Sequence, residues 1–236
     1  MGELCNKHTG LASCGVQWLN SSSVLRLNFC AKLNICASIS APSPSCRTVS
    51  CNLIKTATNK DRMENIDIEK VAINDIDQLQ KIGRQTFYET FSESNTEENM
   101  ESYLENGFST DKLKTELNDK NAEFYFAKID EKIIGYLKLN FGQSQTELKD
   151  DKALEIERIY VLKEFHGKKV GQILYDKAIE IAKNKNADYV WLGVWEENPR
   201  AINFYKKNGF VDFDKHIFKL GNDEQTDIMM KLKLTN

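Results

Sequence analysis

From residue 63 onward, apolar and polar positions recur with periods that mark out helices and strands. Ile66 to Ile73 reads as a strand. Ile76 to Phe91 places Ile76, Leu79, Ile82, Phe87 and Phe91 at helical spacing. A second helix is expected from Asn95 or Thr96, because Asn95 and Glu98 stand as a capping box. Leu113 to Leu117 continues the helical region. Two strands follow, Glu123–Ile129 and Lys132–Phe141, joined tightly through Asp130 and Glu131. Residues 142–152 are polar and read as a loop, and Ala153 to Leu162 as another strand. After a basic loop, Lys163–Lys169, the residues Val170, Ile173, Leu174, Ala178 and Ile181 form one helix face. Tyr189 to Trp195 is a strand. Asn198-Pro199 opens a short helix, since asparagine caps well and proline suits the first helical position, and Gly209 closes it. Val211–Leu220 and Thr226–Leu234 are the last strands. The order βααβββαβαββ predicts a mixed α/β domain with one sheet.

Residues 1–62 read differently. They hold nine serines and two prolines with no sustained period, and the most apolar stretch, Val24 to Ala31, is interrupted by Arg26 and Asn28. That stretch is too short and polar to cross a membrane. Two readings stand for this leader: a disordered or untranslated extension with Met63 as the start, or an organelle transit segment. The first goes with a cytoplasmic protein, the second with a plastid or mitochondrial one.

Charge divides at the same point. Residues 1–62 carry seven Lys/Arg and two Asp/Glu; residues 63–236 carry 25 and 33, a net −8. An acidic body argues against nucleic acid and favours a cationic partner. All six cysteines lie before residue 52, with no zinc-type spacing, so neither a metal nor a cysteine nucleophile is expected in the body.

Two segments carry candidate chemistry. In the first, the strand Glu155-Ile156-Glu157-Arg158-Ile159-Tyr160-Val161 runs into the loop His166-Gly167-Lys168-Lys169 and the helix start Val170-Gly171. Backbone N–H groups and the positive dipole end at a helix N-terminus favour a phosphate, and two lysines add charge. By itself this is equally a solvated connection. The second reads Asn198-x-x-Ala201-x-x-x-Tyr205-x-x-x-Gly209-Phe210, directly after a strand.

That second pattern, at its distance from the basic loop, resembles the signature of the GNAT acetyltransferases, and residues 63–236 are similar in layout to that superfamily. More narrowly, Leu154–Tyr160, Trp191–Trp195 and Glu224–Asp227 resemble the bacterial PaiA-type spermidine/spermine acetyltransferases. The resemblance implies the GNAT fold, a central mixed, mostly antiparallel sheet flanked by helices on both faces. It implies acetyl-CoA as co-substrate, its arm lying between two splayed parallel strands. Main-chain groups of Ile159, Tyr160 and Val161 would hold that arm as an added strand. His166, Gly167, Lys168, Lys169, Val170 and Gly171 would take the diphosphate, and Asn198 would contact the arm. The family loop usually reads Gln/Arg-x-x-Gly-x-Gly/Ala, so His166 and Lys169 depart from it.

Direct transfer from the thioester to a primary amine needs a base and an acid. The resemblance puts Tyr205 in the place of the acid that protonates the leaving thiolate; a packed helix aromatic is the plain alternative. Glu155 and Glu157 are the candidate bases, one strand face carrying both; surface charge or pairing with Arg158 is the alternative. Between Glu89 and Glu105 stand six glutamates and no basic residue; the resemblance makes this segment the acceptor wall, acidic and suited to a polyamine, while charge runs of this kind are usually a solvated helix face. Phe87, Tyr88, Phe91, Trp191 and Trp195 stand between channel lining and core. Partners are then a small-molecule amine, with a homodimer left open. A protein N-terminal or lysine acetyltransferase and a non-catalytic acyl-CoA sensor are the competing functions.

Overall fold

The structure, a computed structural model, describes residues 65–220 and 223–234. Expectations for the leader and for a boundary near residue 63 lie outside the described residues. The strands are β1 (Asp67–Lys70), β2 (Ala122–Ile129), β3 (Lys132–Phe141), β4 (Ala153–Val161), β5 (Tyr189–Trp195), β6 (Val211–Leu220) and β7 (Asp223–Lys233). The helices are α1 (Ile76–Phe91), α2 (Glu97–Gly107), α3 (Thr110–Asn118), α4 (Val170–Asn184) and α5 (Pro199–Lys207). One seven-stranded sheet runs in the order β1-β2-β3-β4-β5-β7-β6. Every neighbouring pair is antiparallel except β4 and β5.

Helices cover both faces, which is why Phe124, Tyr125, Phe126 and Ala127 are buried in succession rather than alternately. Tyr125 and Ala127 pack with Val170, Leu174, Ala178 and Ile181 of α4. Phe124 and Phe126 pack with Leu79 and Ile82 of α1 and Leu113 of α3. A third cluster, Phe87, Phe91, Met100, Leu104 and Phe108, joins α1 to α2. Gly83 makes that junction close, since a Cβ there would stand 2.6 Å from the Phe108 ring.

The observed order is βαααβββαβαββ. The expected continuation at Leu113–Leu117 is a separate helix, α3, because Phe108 and Ser109 break the run and the Ser109 hydroxyl caps a new one, accepting from the Lys112 N–H at 3.3 Å. The first strand is shorter than expected, ending at Lys70, with Ile73–Asp75 a 3₁₀ turn whose Asp75 carboxylate accepts from the Ala72 N–H. The cap of α2 is Thr96, whose hydroxyl accepts from the Asn99 N–H at 3.3 Å, not Asn95. Asn95 is drawn elsewhere: its Nδ2 donates to Phe91 O and its Oδ1 accepts from Gln225 Nε2, both at 3.0 Å. The last strand starts at Asp223 instead of Thr226, because its pairing with β6 continues to Leu220. The short helix is as expected: Asn198 Oδ1 accepts from the Ala201 N–H at 3.0 Å, and Gly209 turns out of it at φ +90°.

Candidate active site

The site begins where the parallel pair comes apart. β4 and β5 are in register only at Ala153–Tyr189, Leu154–Val190 and Glu155–Trp191. Beyond them the β3–β4 ladder slips between Lys138 and Leu139, which leaves Glu157 as the extra residue on β4. Such a bulge bends its strand. The Leu162 N–H bonds to Ile134 O on β3, so alternation turns the main-chain groups of Ile159 and Val161 toward the gap on the β5 side. This is the side from which an extended arm could pair. One acceptor there is already taken: Val161 O lies 2.8 Å from His166 Nε2. Arg200 Nη1 meets the other ring nitrogen, Nδ1, at 2.6 Å. Arginine can only donate, so Nδ1 accepts and Nε2 carries the proton. Burial, with Arg200 beside it, holds the His166 pKa down. His166 therefore ties the end of β4 to the start of α5.

The loop after it turns twice into left-handed backbone, at Gly167 (φ +77°) and Lys169 (φ +63°). Lys169 is the residue before α4, and the first helical bond is Ile173 N–H to Lys169 O. The N–H groups of Val170, Gly171 and Gln172 precede that bond and project from the helix start. A Cβ at Gly171 would meet nothing within 4 Å, so the approach to these donors is open. Lys168 lies over the Phe165 ring at 4.7 Å, and both loop lysines are exposed. Donors, dipole and lysines together fit a diphosphate, and the sheet gap fits the arm attached to it.

A cavity of about 250 Å³ occupies the divergence of β4 and β5. It brings together Glu155, Glu157, Ile159, Tyr160, Asn198 and Tyr205. Val161 and the loop His166–Gly171 lie outside its lining. Phe87 and Phe91 of α1 and Tyr103 of α2 form one wall; Trp191 and Trp195 form another. Tyr88 points away and is exposed. The acidic wall expected from Glu89, Glu93, Glu97, Glu98, Glu101 and Glu105 is not there, for none of them lines the cavity. The apolar stripes of α1 and α2 turn inward, which leaves those glutamates on the outside. Glu89 accepts from the Lys163 N–H and Glu93 pairs with the Lys163 ammonium. The carboxylates at the cavity come from strands and a loop: Glu147, Glu155, Glu157 and Asp227.

Glu155 and Glu157 do share a strand face, since Asn140 Nδ2 reaches both, at 2.9 and 2.6 Å. Their surroundings differ. Glu155 is 3 % exposed and accepts from the Thr146 N–H at 2.8 Å and hydroxyl at 2.5 Å. Burial outweighs these donors and pushes its pKa up. Glu157 pairs with Lys138 at 2.6 Å and Arg158 at 2.9 Å. Against the cost of burial, those two cations hold its pKa down at about 2. Tyr205 is packed against Phe204 and Phe210 and lines the cavity with its pKa pushed well up by burial, so the phenol is neutral and able to donate. Asn198 spends its Oδ1 on the cap and keeps its Nδ2 as a donor.

The cavity also holds residues given no role from the sequence, among them Glu147, His216, Gln225 and Asp227. His216 Nδ1 lies 3.1 Å from Glu147 Oε1, so the 142–152 loop meets β6 across the cavity. Gln145, wholly buried, receives the Trp191 indole N–H at 2.6 Å and fixes that ring. Among the described residues no three His, Cys, Asp or Glu side chains are grouped to hold a metal, and no helix is long and apolar enough to cross a membrane.

A mostly antiparallel sheet opened at one parallel pair, with a helix N-terminus at the opening, is the fold of N-acetyltransferases. Residues 79–210 match the acetyltransferase (GNAT) family, and the chain belongs to it. It is similar to an uncharacterized N-acetyltransferase from the pepI 3′ region of Lactobacillus delbrueckii subsp. lactis, 40% identical over 172 residues, 73% of this chain and 99% of the relative. It is 28% identical to the spermidine N(1)-acetyltransferase of Thermoplasma acidophilum, over 72% of this chain and 98% of that one. The crystal structure of a PaiA N-acetyltransferase from the same organism, in complex with coenzyme A, has a TM-score of 0.61 and 28% identity over 72% of this chain and 99% of that one. The protein is thus an N-acetyltransferase that depends on acetyl-CoA.

Proposed function

We propose that this protein acetylates a primary amine, with a polyamine such as spermidine or spermine as acceptor, by direct transfer from acetyl-CoA in a ternary complex. The observation that carries the reading is the lining of the cavity: aromatic walls with carboxylates from β4, β7 and the 142–152 loop, and two basic side chains, Arg158 and His216, already paired with Glu157 and Glu147. Such a lining suits methylene chains ending in ammonium groups. The spermidine N(1)-acetyltransferase among its relatives supports the same acceptor class.

In this reading Ile159 and Val161 hold the arm through main-chain groups, whereas Tyr160 turns its own toward β3; Gly167 through Gly171 take the diphosphate, with His166 bracing the strand end beside them. Asn198 Nδ2 donates to the arm. Acetyl-CoA supplies the thioester that is attacked. A primary amine of pKa about 10.4 is neutral in roughly one molecule in 2,500 at pH 7, a deficit of about 4.6 kcal/mol. Glu155 takes the proton from the ammonium, directly or through one water, because its burial makes it more basic than an exposed carboxylate. The amine nitrogen then bonds to the acetyl carbon, the carbon–sulfur bond breaks with the Tyr205 hydroxyl giving its proton to the departing sulfur, and the nitrogen sheds its remaining extra proton, which restores the phenol. Glu157, held ionised by Lys138 and Arg158, positions this strand rather than carrying the proton.

The test is an acceptor screen on the purified protein. Free thiol release is followed with acetyl-CoA and a set of amines, and the product is weighed by mass spectrometry. Spermidine or spermine gaining one acetyl group is the expected result. Turnover confined to peptide N-termini or protein lysines would move the assignment to a protein acetyltransferase. Coenzyme binding without turnover of any amine would make it a sensor.

A further inference from the structure

β7 carries two acceptors that the transfer chemistry does not use. Gln225, Asp227 and Met229 alternate along it, so all three reach the cavity from one sheet face. Asp227 stands opposite Trp195 of β5 and His216 of β6. Its carboxylate leans over Gly193, where a Cβ would lie 3.4 Å from Oδ2; the missing side chain at Gly193 leaves that oxygen open to the cavity. No hydrogen bond or salt bridge reaches the Asp227 carboxylate from the described residues. Gln225 is 7 % exposed, and its Nε2 donates to Asn95 Oδ1 at 3.0 Å and Asp223 Oδ2 at 2.9 Å. That pair of bonds fixes which way the amide faces. Its Oε1 is buried and without a donor. Two acceptors on one strand face thus share a lining in which the cations are already engaged. A buried amide oxygen of this kind needs a donor, and a half-buried carboxylate beside it suits a cationic one.

The charged and titratable groups around Asp227 do not supply it. His216, the residue nearest in register, is turned to Glu147. On β4, Arg158 is held by Glu157, and Glu155 is itself an acid. The α1–α2 wall offers Phe87, Thr90, Phe91 and Tyr103, none of them cationic. Phe91 lies 5.6 Å from Trp195 and Tyr103 5.7 Å from Phe218, so aromatic rings bracket this end of the cavity.

We propose that Asp227 and the Gln225 Oε1 form an ammonium subsite that binds the second, non-reacting cationic end of a di- or polyamine acceptor. The subsite rests on the amine-acetylating reading and sharpens it: it selects for an acceptor with two cationic nitrogens joined by methylenes over one with a single nitrogen. Asp227 binds and positions; the proton and acyl transfers stay with the groups on β4 and α5.

The pH dependence follows from the same geometry. Burial lifts the Asp227 pKa to about 6, with His216 pulling it slightly back. The carboxyl is neutral below that pH and charged above it, so affinity for a dication is full above about pH 7 and falls as pH drops through 6.

The experiment titrates spermidine, by calorimetry, into the full-length protein saturated with coenzyme A, in the wild type, Asp227→Asn and Gln225→Leu. It is paired with steady-state acetylation of spermidine and of n-butylamine, which carries one nitrogen. Asp227→Asn is expected to weaken spermidine binding by roughly 30-fold or more, as loss of one partner of a desolvated charge pair does. It should raise the spermidine KM in step, leave kcat and the n-butylamine KM near wild type, and flatten the affinity profile around pH 6. Gln225→Leu should weaken binding several-fold and keep the pH profile. Equal spermidine affinity in wild type and Asp227→Asn, or an equal loss for both amines, would overturn the subsite. Asp227-dependent binding without acetylation would leave the subsite standing and remove the acetylation reading. Acetylation of spermidine that ignores Asp227 would do the reverse.

Discussion

Glu157→Gln separates a carboxylate that holds the strand from one that takes a proton. In the folded protein Glu157 receives Lys138 Nζ at 2.6 Å, Arg158 Nη2 at 2.9 Å and Asn140 Nδ2 at 2.6 Å. Lys138 and Arg158 are 4 % and 8 % exposed, and their other carboxylate partner is Glu116, at 2.9 and 3.6 Å. The Glu157 pKa is lowered from its ordinary 4.5 to about 2. A depression of that size is worth about 3 kcal/mol of folding stability at about 1.4 kcal/mol per unit. The sign is that of a depressed carboxyl: the stabilisation is present above pH 4.5 and is lost as pH falls toward 2. Glutamine keeps the shape and the Asn140 contact but leaves two buried cations sharing one carboxylate. We expect a loss of about 3 kcal/mol, a large part of the roughly 5–15 kcal/mol that holds a domain folded. Urea unfolding of the full-length protein at pH 7, followed by circular dichroism, should show a midpoint lower by about 1–2 M with an unchanged slope. The gap between variant and wild type should narrow as both are taken from pH 5 to pH 3. Below the unfolding midpoint the folded variant should retain kcat/KM to within about threefold, since no transition-state contact is removed. An unchanged midpoint with a collapsed kcat/KM would refute the reasoning, because the carboxylate would then be acting on the substrate.

Three further outcomes are expected. Tyr205→Phe should lower kcat by about 10²–10⁴ while the coenzyme A dissociation constant, measured by calorimetry, stays near wild type; an unaltered kcat removes the phenol from the reaction. The Glu155 pKa is raised by burial, and a base works only when deprotonated, so kcat/KM should fall with decreasing pH along a limb set above the ordinary carboxylate range, and Glu155→Gln should abolish that limb. Lys169→Gly relieves a left-handed backbone that costs a side chain about 1–2 kcal/mol, partly offset by greater freedom of the unfolded chain, so melting should rise by about 2–4 °C while coenzyme affinity falls with the lost charge.

The fold was legible because its elements are written locally. The ends of α1, β3 and β5 agree with the periodicity to the residue, and the Asn198 cap, the Pro199 start and the Gly209 exit of α5 are each a one-residue rule obeyed. Where local rules compete, the reading failed. Asn95 and Thr96 are both good caps, and the choice between them is made by Gln225, which lies 130 positions away and holds Asn95 by its amide oxygen. The separation of α3 rests on Ser109 capping a new helix, a signal as strong as the one at Thr96 but hidden inside an apparently continuous run.

The site divides along the same line. The half proposed to take the coenzyme is contiguous in sequence, β4 to loop to α4 and β5 to α5, so short motifs carry it. His166 shows what such a motif leaves out. It departs from the family pattern, yet it bonds Val161 O and accepts from Arg200, so a departure in side chain is here a working brace. The other half of the cavity is assembled by the sheet order β5-β7-β6, which brings Asp227 beside Trp195 and His216 beside Asp227; Trp191–Trp195 and Glu224–Asp227 were legible as a resemblance, but not that the sheet would set them side by side with His216. Charge counting left an acidic wall and a solvated face open there, and the structure shows the solvated face, for a physical reason. A run of glutamates at helical spacing reports where a helix meets water, and the acidic face of α1 and α2 is what allows the opposite, aromatic face to be buried. The carboxylates proposed to meet a substrate are the costly ones: Glu155 and Asp227 are both raised by desolvation, a state tolerated only where a ligand or a fixed set of donors answers it. Glu155 has its donors in Thr146 and Asn140; Asp227 has none among the described residues, and that difference, invisible in composition, is the ground on which separate tasks are proposed for them.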